Sequence, residues 1–172
     1  MMRGFPILLV AGLAALLSGC GLRPLYDGGR SGVAAQRLAG VEIAPITGKS
    51  GWLVRNALAE RLDPLADGAP RYRLIVTLDD KIEGLGVRAN DNVTRERRTL
   101  RARYQLRDIA AAPEAAAMID ETASVDAGID VASSEYATVA AEDTALERLA
   151  VILADRIVAR VAIDAARQAP KR

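Results

Sequence analysis

Three stretches in which apolar and polar residues alternate constrain the fold of this 172-residue chain more than any other feature. They run over residues 71–85, 93–109 and 117–131. Alternation with a period of two predicts half-buried β-strands. The Gly, Asn and Asp residues between the first two stretches are typical of a turn. The pattern therefore predicts an antiparallel meander of three strands with one apolar and one polar face.

Helical patterns flank the three strands. Residues 41–46 predict a short strand with Pro45 at an edge or a strand end, and an amphipathic helix follows that ends near Pro64. After the third stretch, a period of 3.6 residues predicts a helix from Glu135 to Ala166. A continuous helix of that length would measure about 48 Å, so we expect a break near residues 140–143. Its apolar stripe comprises Val139, Leu146, Leu149, Leu153, Ile157 and Val161.

Two amphipathic helices need an apolar surface, and one face of a four-stranded sheet supplies it. The predicted fold is therefore α+β: a two-layer sandwich in which two helices pack on one face of a four-stranded, mostly antiparallel sheet. The other face of the sheet is predicted to be polar.

The N-terminal segment ends in Leu17-Ser18-Gly19-Cys20, and Cys20 is the only cysteine of the chain. Arg3, followed by an apolar run too short to span a bilayer, is typical of a secretory signal. The tetrapeptide matches the lipobox of bacterial lipoproteins, which predicts cleavage before Cys20 and its conversion to an S-diacylglycerol, N-palmitoyl cysteine. Such acyl chains would anchor the protein stably to a membrane. The alternative is a plain secretory signal with Cys20 left as a thiol.

These observations divide the chain into four segments. Residues 1–19 are the predicted signal peptide, residues 20–40 a lipidated tether, residues 41–166 one α+β domain, and residues 167–172 a disordered tail. The length left after cleavage suits a single domain with a sizeable core.

Composition narrows the range of functions. The chain has 23 Lys plus Arg and 22 Asp plus Glu, and Arg3 lies in the signal peptide, so the mature domain is formally neutral. No overall field attracts nucleic acid, and we expect no nucleic-acid partner. The sequence contains no histidine, which removes the commonest general base and metal ligand. We therefore expect no enzyme, no cofactor and no metal site.

Arginines dominate the polar face of the second alternating stretch. They are Arg95, Arg97, Arg101, Arg103 and Arg107, with Arg98 nearby on the opposite parity. Guanidinium groups bind phosphate and carboxylate in a bidentate manner, so such a row suits a multiply anionic ligand. Alternatively, a hairpin turning near residues 88–90 would place Arg95 and Arg97 opposite or diagonal to Glu83 and Arg101 near Asp79, as cross-strand ion pairs worth about 0–1 kcal/mol. Both hypotheses stay open.

Other polar or aromatic residues carry weaker signals. Asp120, Asp126 and Asp130 alternate along the third stretch, and we interpret them as solubility determinants rather than metal ligands. Trp52, near the start of the first helix, is interpreted as a packing residue rather than a platform for stacking.

Short motifs in order along the chain resemble those of a known family, the lipopolysaccharide-assembly lipoproteins LptE, in the form found in alphaproteobacteria. The motifs are Cys20-Gly21-Leu22-Arg23-Pro24-Leu25-Tyr26, Arg55-Asn56-Ala57-Leu58, Tyr104-Gln105-Leu106, Ala141-Glu142-Asp143 through Leu149, and Ala154-Asp155-Arg156-Ile157. The resemblance implies a four-stranded sheet covered by two helices.

The resemblance also implies a function. Family members are tethered to the inner leaflet of the outer membrane, sit as a plug inside the β-barrel LptD, and assist its assembly and the delivery of lipopolysaccharide to the outer leaflet. Gly21 after the lipidated cysteine agrees with sorting to the outer membrane. The alternatives are a structural lipoprotein that scaffolds another envelope complex and, less favoured, a lipid-anchored enzyme that uses Asp79 and Glu83.

Family members bind lipopolysaccharide through basic side chains, so the resemblance makes Arg97 a candidate contact, together with Arg95, Arg98, Arg101 and Arg103. A second basic position of the family, at the start of the last helix, is Glu142 here. Arg148 or Lys81 would have to substitute for it.

Overall fold

The computed structural model describes residues 38–65, 68–87, 93–131 and 134–167. Its strands are β1 (Val41–Ile43), β2 (Tyr72–Val87), β3 (Val93–Asp108) and β4 (Ile119–Asp130); its helices are α1 (Gly48–Leu62), extended by a 3-10 turn (Asp63–Leu65), and α2 (Glu135–Arg167). The order of elements along the chain is the predicted one.

The four strands form a mixed sheet in the order β1-β2-β3-β4. The β2–β3 and β3–β4 pairs are antiparallel, which confirms the meander, whereas β1 runs parallel to β2. β1 is shorter than predicted. After Ile43 the Ala44 N–H still donates to the Leu74 carbonyl at 2.9 Å, and the chain then leaves the sheet to begin α1.

Both helices pack on one face of the sheet, as predicted. The even-numbered side chains of β2 and β3 supply the floor of the core, including Leu74, Val76, Leu100, Tyr104 and Leu106. The helices contribute Val54, Leu58, Leu146, Leu149, Leu153 and Ile157, and Leu38, assigned by the sequence to the tether, is also buried there. The period of two in the strands and of 3.6 in the helices therefore selected most of the core-facing residues, but not Leu38.

The two helices run parallel to each other. Lys49 pairs with Asp143 and Arg61 pairs with Asp155, each at 2.6 Å, and the two pairs are equally spaced on α1 and α2. The predicted break at residues 140–143 is wrong, because α2 is continuous there and the Thr144 hydroxyl donates to the Ala140 carbonyl at 2.8 Å.

Two expectations about burial are wrong, one for Val139 and one for Trp52. α2 begins before the level at which α1 starts, so Val139 has no α1 neighbour and is 50% exposed rather than part of the buried stripe. Trp52 is 62% exposed, since α1 turns Gly51, Val54 and Leu58 towards the core and Trp52 away from it.

Gly51 allows α1 to approach the preceding loop closely. A Cβ atom at this position would lie 2.7 Å from the Ile46 carbonyl oxygen. We expect Gly51→Ala to lower the free energy of unfolding by about 1–2 kcal/mol in a urea titration, because overpacking outweighs the helix propensity of alanine. Gly128→Ala is the matched control, since a Cβ atom there meets nothing within 4 Å. Unchanged stability of Gly51→Ala would contradict the close approach.

Candidate functional site

The face of the sheet that the helices leave open carries the predicted row of arginines. Arg95, Arg97, Arg101 and Arg103 are exposed on this face, and Arg107 is partly buried. β2 adds Thr77, Asp79, Lys81 and Glu83 beside them, and β4 adds Asp120, Thr122, Ser124, Asp126 and Asp130 on the other side. The face is therefore polar, as the alternation predicts.

Carboxylates of β4 pair with most of these arginines. Arg103 binds Asp120 in a bidentate manner, with Nε at 2.9 Å and Nη2 at 2.7 Å from the two carboxylate oxygens. Arg95 lies 3.1 Å from Asp130, and Arg97 lies 3.9 Å from Asp126. The interpretation of these three aspartates as solubility determinants was therefore incomplete, because each is an ion-pair partner.

The β2–β3 register agrees with the hairpin considered from the sequence, but the cross-strand ion pairs considered with it do not form. Glu83 lies opposite Arg97, and Asp79 lies opposite Arg101. Arg97 nevertheless turns to Asp126 on β4, and Asp79 lies 3.4 Å from Lys81 on its own strand. The register determines which residues lie opposite each other. The side-chain conformation of each arginine determines whether it contacts a carboxylate of β2 or one of β4.

Arg101 differs from its neighbours on the open face. It lies between Asp79 on β2 and Ser124 on β4, and its side chain is exposed. No ion pair or hydrogen bond of its guanidinium group is present within the described ranges. The centre of the row therefore offers an arginine that no carboxylate neutralises directly.

Asp120 is the best-satisfied carboxylate of this face. The hydrogen bond from Arg103 and a second one from Gln105 at 2.7 Å lower the pKa of Asp120 to about 2. Because the pKa is lower in the folded than in the unfolded protein, this carboxylate stabilises the fold above its usual pKa near 4, and the contribution is lost as the pH falls towards 2.

We expect the Asp120 carboxyl carbon, followed by NMR, to titrate near pH 2 in the wild-type protein and closer to pH 4 in Arg103→Ala. Arg95→Ala, which removes an arginine elsewhere in the row, serves as the control and should leave the Asp120 titration unchanged. Equal titration of Asp120 in all three proteins would contradict the assigned cause.

Arg98 lies on the opposite face, beneath the start of α2. It binds Asp80 through Nε at 2.9 Å and Nη2 at 2.8 Å, and its Nη1 donates to the Glu142 carbonyl at 2.9 Å. The pKa of neighbouring Glu96 is raised by desolvation and by the proximity of Glu142. Sequence analysis missed this polar cluster of Asp80, Glu96 and Arg98. The pattern that could have revealed it is the presence of polar residues, on two adjacent strands, at positions whose side chains face the core.

The two residues considered as substitutes for the family's second basic position lie on different faces. Glu142 itself contacts Arg98 under α2, and Arg148 is exposed on α2. Lys81 lies on the open face opposite Thr99, between the levels of Arg97 and Arg101. The structure therefore brings Lys81, Arg97 and Arg101 together and separates Arg98 and Arg148 from them.

Some sequence-based predictions concern other parts of the chain. Cys20, the signal peptide, the tether up to residue 37 and residues 168–172 lie outside the described residues. Neither of the described helices has the length and hydropathy of a membrane-spanning helix. In the same ranges, no three potential metal-binding side chains come together.

Comparison with known proteins identifies the family. Residues 38–161 match the model of the lipopolysaccharide-assembly family LptE. The chain belongs to the LptE family. This is a family of non-enzymatic lipoproteins that acts in lipopolysaccharide assembly. No curated protein matches the sequence.

Solved structures of other lipoproteins share the LptE-like fold. A candidate lipoprotein from Caulobacter crescentus CB15 is 27% identical with a TM-score of 0.63, and the match covers 80% of this chain and 98% of that one. Rare lipoprotein B from Shewanella oneidensis is 14% identical, with a TM-score of 0.57 and coverage of 74% and 96%. A minor lipoprotein from Acinetobacter baumannii is 12% identical, with a TM-score of 0.59 and coverage of 73% and 92%.

Proposed function

We propose that this protein is the lipoprotein that fills the lumen of the β-barrel LptD, assists assembly of that barrel, and binds lipopolysaccharide on its way to the outer leaflet of the outer membrane. Membership of the LptE family supports the proposal. A sheet face lined by charged and hydroxyl side chains suits the polar, wet interior of a large barrel. Acyl chains on Cys20 would hold the domain at the inner leaflet, facing the periplasm and the lumen.

The observation that carries the ligand proposal is the state of Arg101. This exposed guanidinium has no direct partner among the described residues, and Lys81 and Arg97 lie on the same face close to it. Arg97 is only 3.9 Å from Asp126, and an exposed pair of this kind is worth about 0–1 kcal/mol. A phosphate of lipopolysaccharide can therefore displace Asp126 at little cost and bind several cations at once.

The remaining candidates have different roles in this proposal. Arg95 and Arg103 flank the centre of the row and are exposed, but each already holds a carboxylate of β4. Arg98 is excluded from the binding surface because its guanidinium lies on the helix-covered face in contact with Asp80. Lys81 takes the place of the family's second basic position.

Co-purification tests the proposed partner. The full-length lipoprotein, tagged at its C-terminus, is extracted with mild detergent from the outer membrane of its own organism, and the proteins recovered with it are identified. We expect LptD in near-equal amount. Recovery of another envelope complex without LptD would overturn the proposal and favour the scaffold function. Cys20→Ser is the control for the anchor and should lower recovery from the membrane fraction.

A double substitution tests the proposed ligand. Arg97→Ala with Arg101→Ala is expected to weaken lipopolysaccharide binding by about tenfold to a hundredfold, since charge-assisted hydrogen bonds are worth about 1.5–3 kcal/mol. Binding is measured with purified lipopolysaccharide and the folded protein. Arg55→Ala with Arg148→Ala removes the same charge from the helix layer and should leave the affinity within about twofold. Equal losses of affinity in both double variants would show that only the net charge matters. Unchanged affinity of the Arg97→Ala, Arg101→Ala variant would show that these arginines do not bind lipopolysaccharide.

A further inference from the structure

Among the residues that the structure describes, one edge of the sheet has no neighbouring strand over most of its length. β1 pairs with β2 only from Tyr72 to Leu74, and the last hydrogen bond runs from the Ala44 N–H to the Leu74 carbonyl. The chain then leaves the sheet to begin α1, whereas β2 continues to Val87. From Val76 onward, no described strand lies on the outer side of β2.

The direction of the backbone groups on this edge follows from the ladder. Odd-numbered residues of β2 exchange hydrogen bonds with β3, as the continuation from the Ile109 N–H to the Arg71 carbonyl illustrates. Even-numbered residues point to the β1 side, as the bond from the Tyr72 N–H to the Gly40 carbonyl illustrates. The N–H and C=O groups facing the open edge therefore belong to Val76, Leu78, Asp80, Ile82 and Gly84.

Natural sheets protect such edges with short strands, prolines, bulges or a covering element. β2 is 16 residues long, has no proline, and pairs with β3 without a bulge from Tyr72 to Leu85. At the opposite edge of the sheet, by contrast, Arg156 of α2 donates to the Ser124 carbonyl of β4 at 2.6 Å. Within the described residues, the β2 edge beyond the loop that leads into α1 is protected by the charged side chains of Asp79, Lys81 and Glu83.

A groove follows the same edge. A cavity of about 230 Å³ lies between the loop that leads into α1 and the middle of β2. Ile46 and Ser50 form one wall, and Val76 and Leu78 form the other. The cavity lies beside the part of β2 that follows the end of β1, and its lining is both polar and apolar.

We propose that the β2 edge, from Val76 to Leu85, accepts an extended segment of the barrel partner as an added strand; this inference rests on the proposed function. Backbone groups that alternate along an open edge are satisfied fully only by another extended chain. A closed barrel leaves no free edge of its own, so the added segment belongs to a loop or a terminus of the barrel protein.

Charge defines the chemistry of the added segment. Asp79 and Glu83 project from this edge onto the open face, with Lys81 between them. The segment therefore carries a basic side chain opposite Glu83, since Asp79 already pairs with Lys81 at 3.4 Å.

Amide hydrogen exchange resolved to single residues tests the proposal on the full-length protein, free and in the detergent-purified complex with the barrel. In the free protein, the odd-numbered amides of β2 should exchange slowly and the even-numbered amides from Val76 to Gly84 quickly. In the complex, the even-numbered amides should exchange at least about tenfold more slowly. Burial in a wet lumen would not produce this alternation, because only a hydrogen bond protects an amide strongly.

Each result has a distinct meaning. A complex in which the even-numbered amides keep their free rates overturns the added strand and leaves the proposed function intact. Failure to obtain any complex with the barrel overturns both. Protection that rises with protein concentration in the absence of the barrel assigns the edge to a second copy of this chain and also overturns the proposal.

A pair of variants at Ile82 supplies an independent readout. Ile82→Pro removes an N–H that faces the open edge, whereas Ile82→Thr keeps it. We expect several-fold less barrel protein to co-purify with the proline variant than with the threonine variant. The circular dichroism spectra of both variants should match that of the wild-type protein. Equal recovery by two folded variants overturns the proposal, and the exchange experiment on the wild-type protein decides it if the proline variant does not fold.

Discussion

Arg98→Ala is expected to lower the free energy of unfolding by about 3 kcal/mol, the largest effect of any single charge removal in this protein. The side chains of Arg98 and Asp80 are only 11% and 20% exposed and form a bidentate pair under α2. Removal of one partner leaves the other charge desolvated and uncompensated. The hydrogen bond from Arg98 Nη1 to the Glu142 carbonyl, which ties β3 to α2, is lost as well. Urea denaturation followed by circular dichroism measures the change.

Arg103→Ala is the matched control for this experiment. Arg103 makes the same bidentate contact with Asp120, but the two side chains are 65% and 37% exposed. Water screens such a pair, so we expect a much smaller loss of stability than for Arg98→Ala. The combined replacement of Asp80 by Leu and Arg98 by Met should cost less stability than Arg98→Ala alone, since it removes both members of the pair. Similar losses for Arg98→Ala and Arg103→Ala would show that burial does not distinguish the two pairs.

Leu153→Ala is expected to lower the free energy of unfolding by about 2–5 kcal/mol. Leu153 is fully buried in the middle of α2, where the helix packs on the sheet and on α1, and its truncation leaves a cavity as well as removing apolar contacts. The measurement is again a urea titration, in which the slope should stay constant while the midpoint falls.

Ile152→Ala is the control, because the neighbouring residue on the same helix turn is 45% exposed. We expect a change within about 0.5 kcal/mol for this variant. If both substitutions destabilised the protein equally, the assignment of the buried face of α2 would be wrong. If neither did, α2 would contribute little to the cooperative core.

The secondary structure was predictable because it depends on local periodicity. In a strand, successive side chains point to opposite faces, so the alternation around Leu100 and Tyr104 assigned the core face of β3 and placed Arg97 and Arg101 on the other face without any tertiary information. The ends of β2, β3 and β4 were predicted within a few residues for the same reason. Even so, Val139 followed the helical period of α2 and is exposed, since periodicity does not reveal where the neighbouring element ends.

The partners of the arginines were not predictable from the sequence. The register set Arg97 opposite Glu83, yet Arg97 turns to Asp126 on the other neighbouring strand, and Arg101 pairs with neither Asp79 nor another carboxylate in the described ranges. Arg98 was grouped with the exposed row, although its parity places it on the face that α2 covers. These outcomes depend on side-chain conformations and on the position of α2, which involve residues far apart in the chain.

The sequence by itself determined the α+β architecture, the residues of the core and the side of the sheet on which the arginine row lies, because each follows from the repeat of a single strand or helix. Only the tertiary structure decided that Arg98 is neutralised by Asp80, that Arg101 is left without a carboxylate partner within the described ranges, and that β1 leaves the edge of β2 open after Leu74. Those features depend on contacts between separate secondary-structure elements. The periodicity of a single strand or helix contains no information about such contacts.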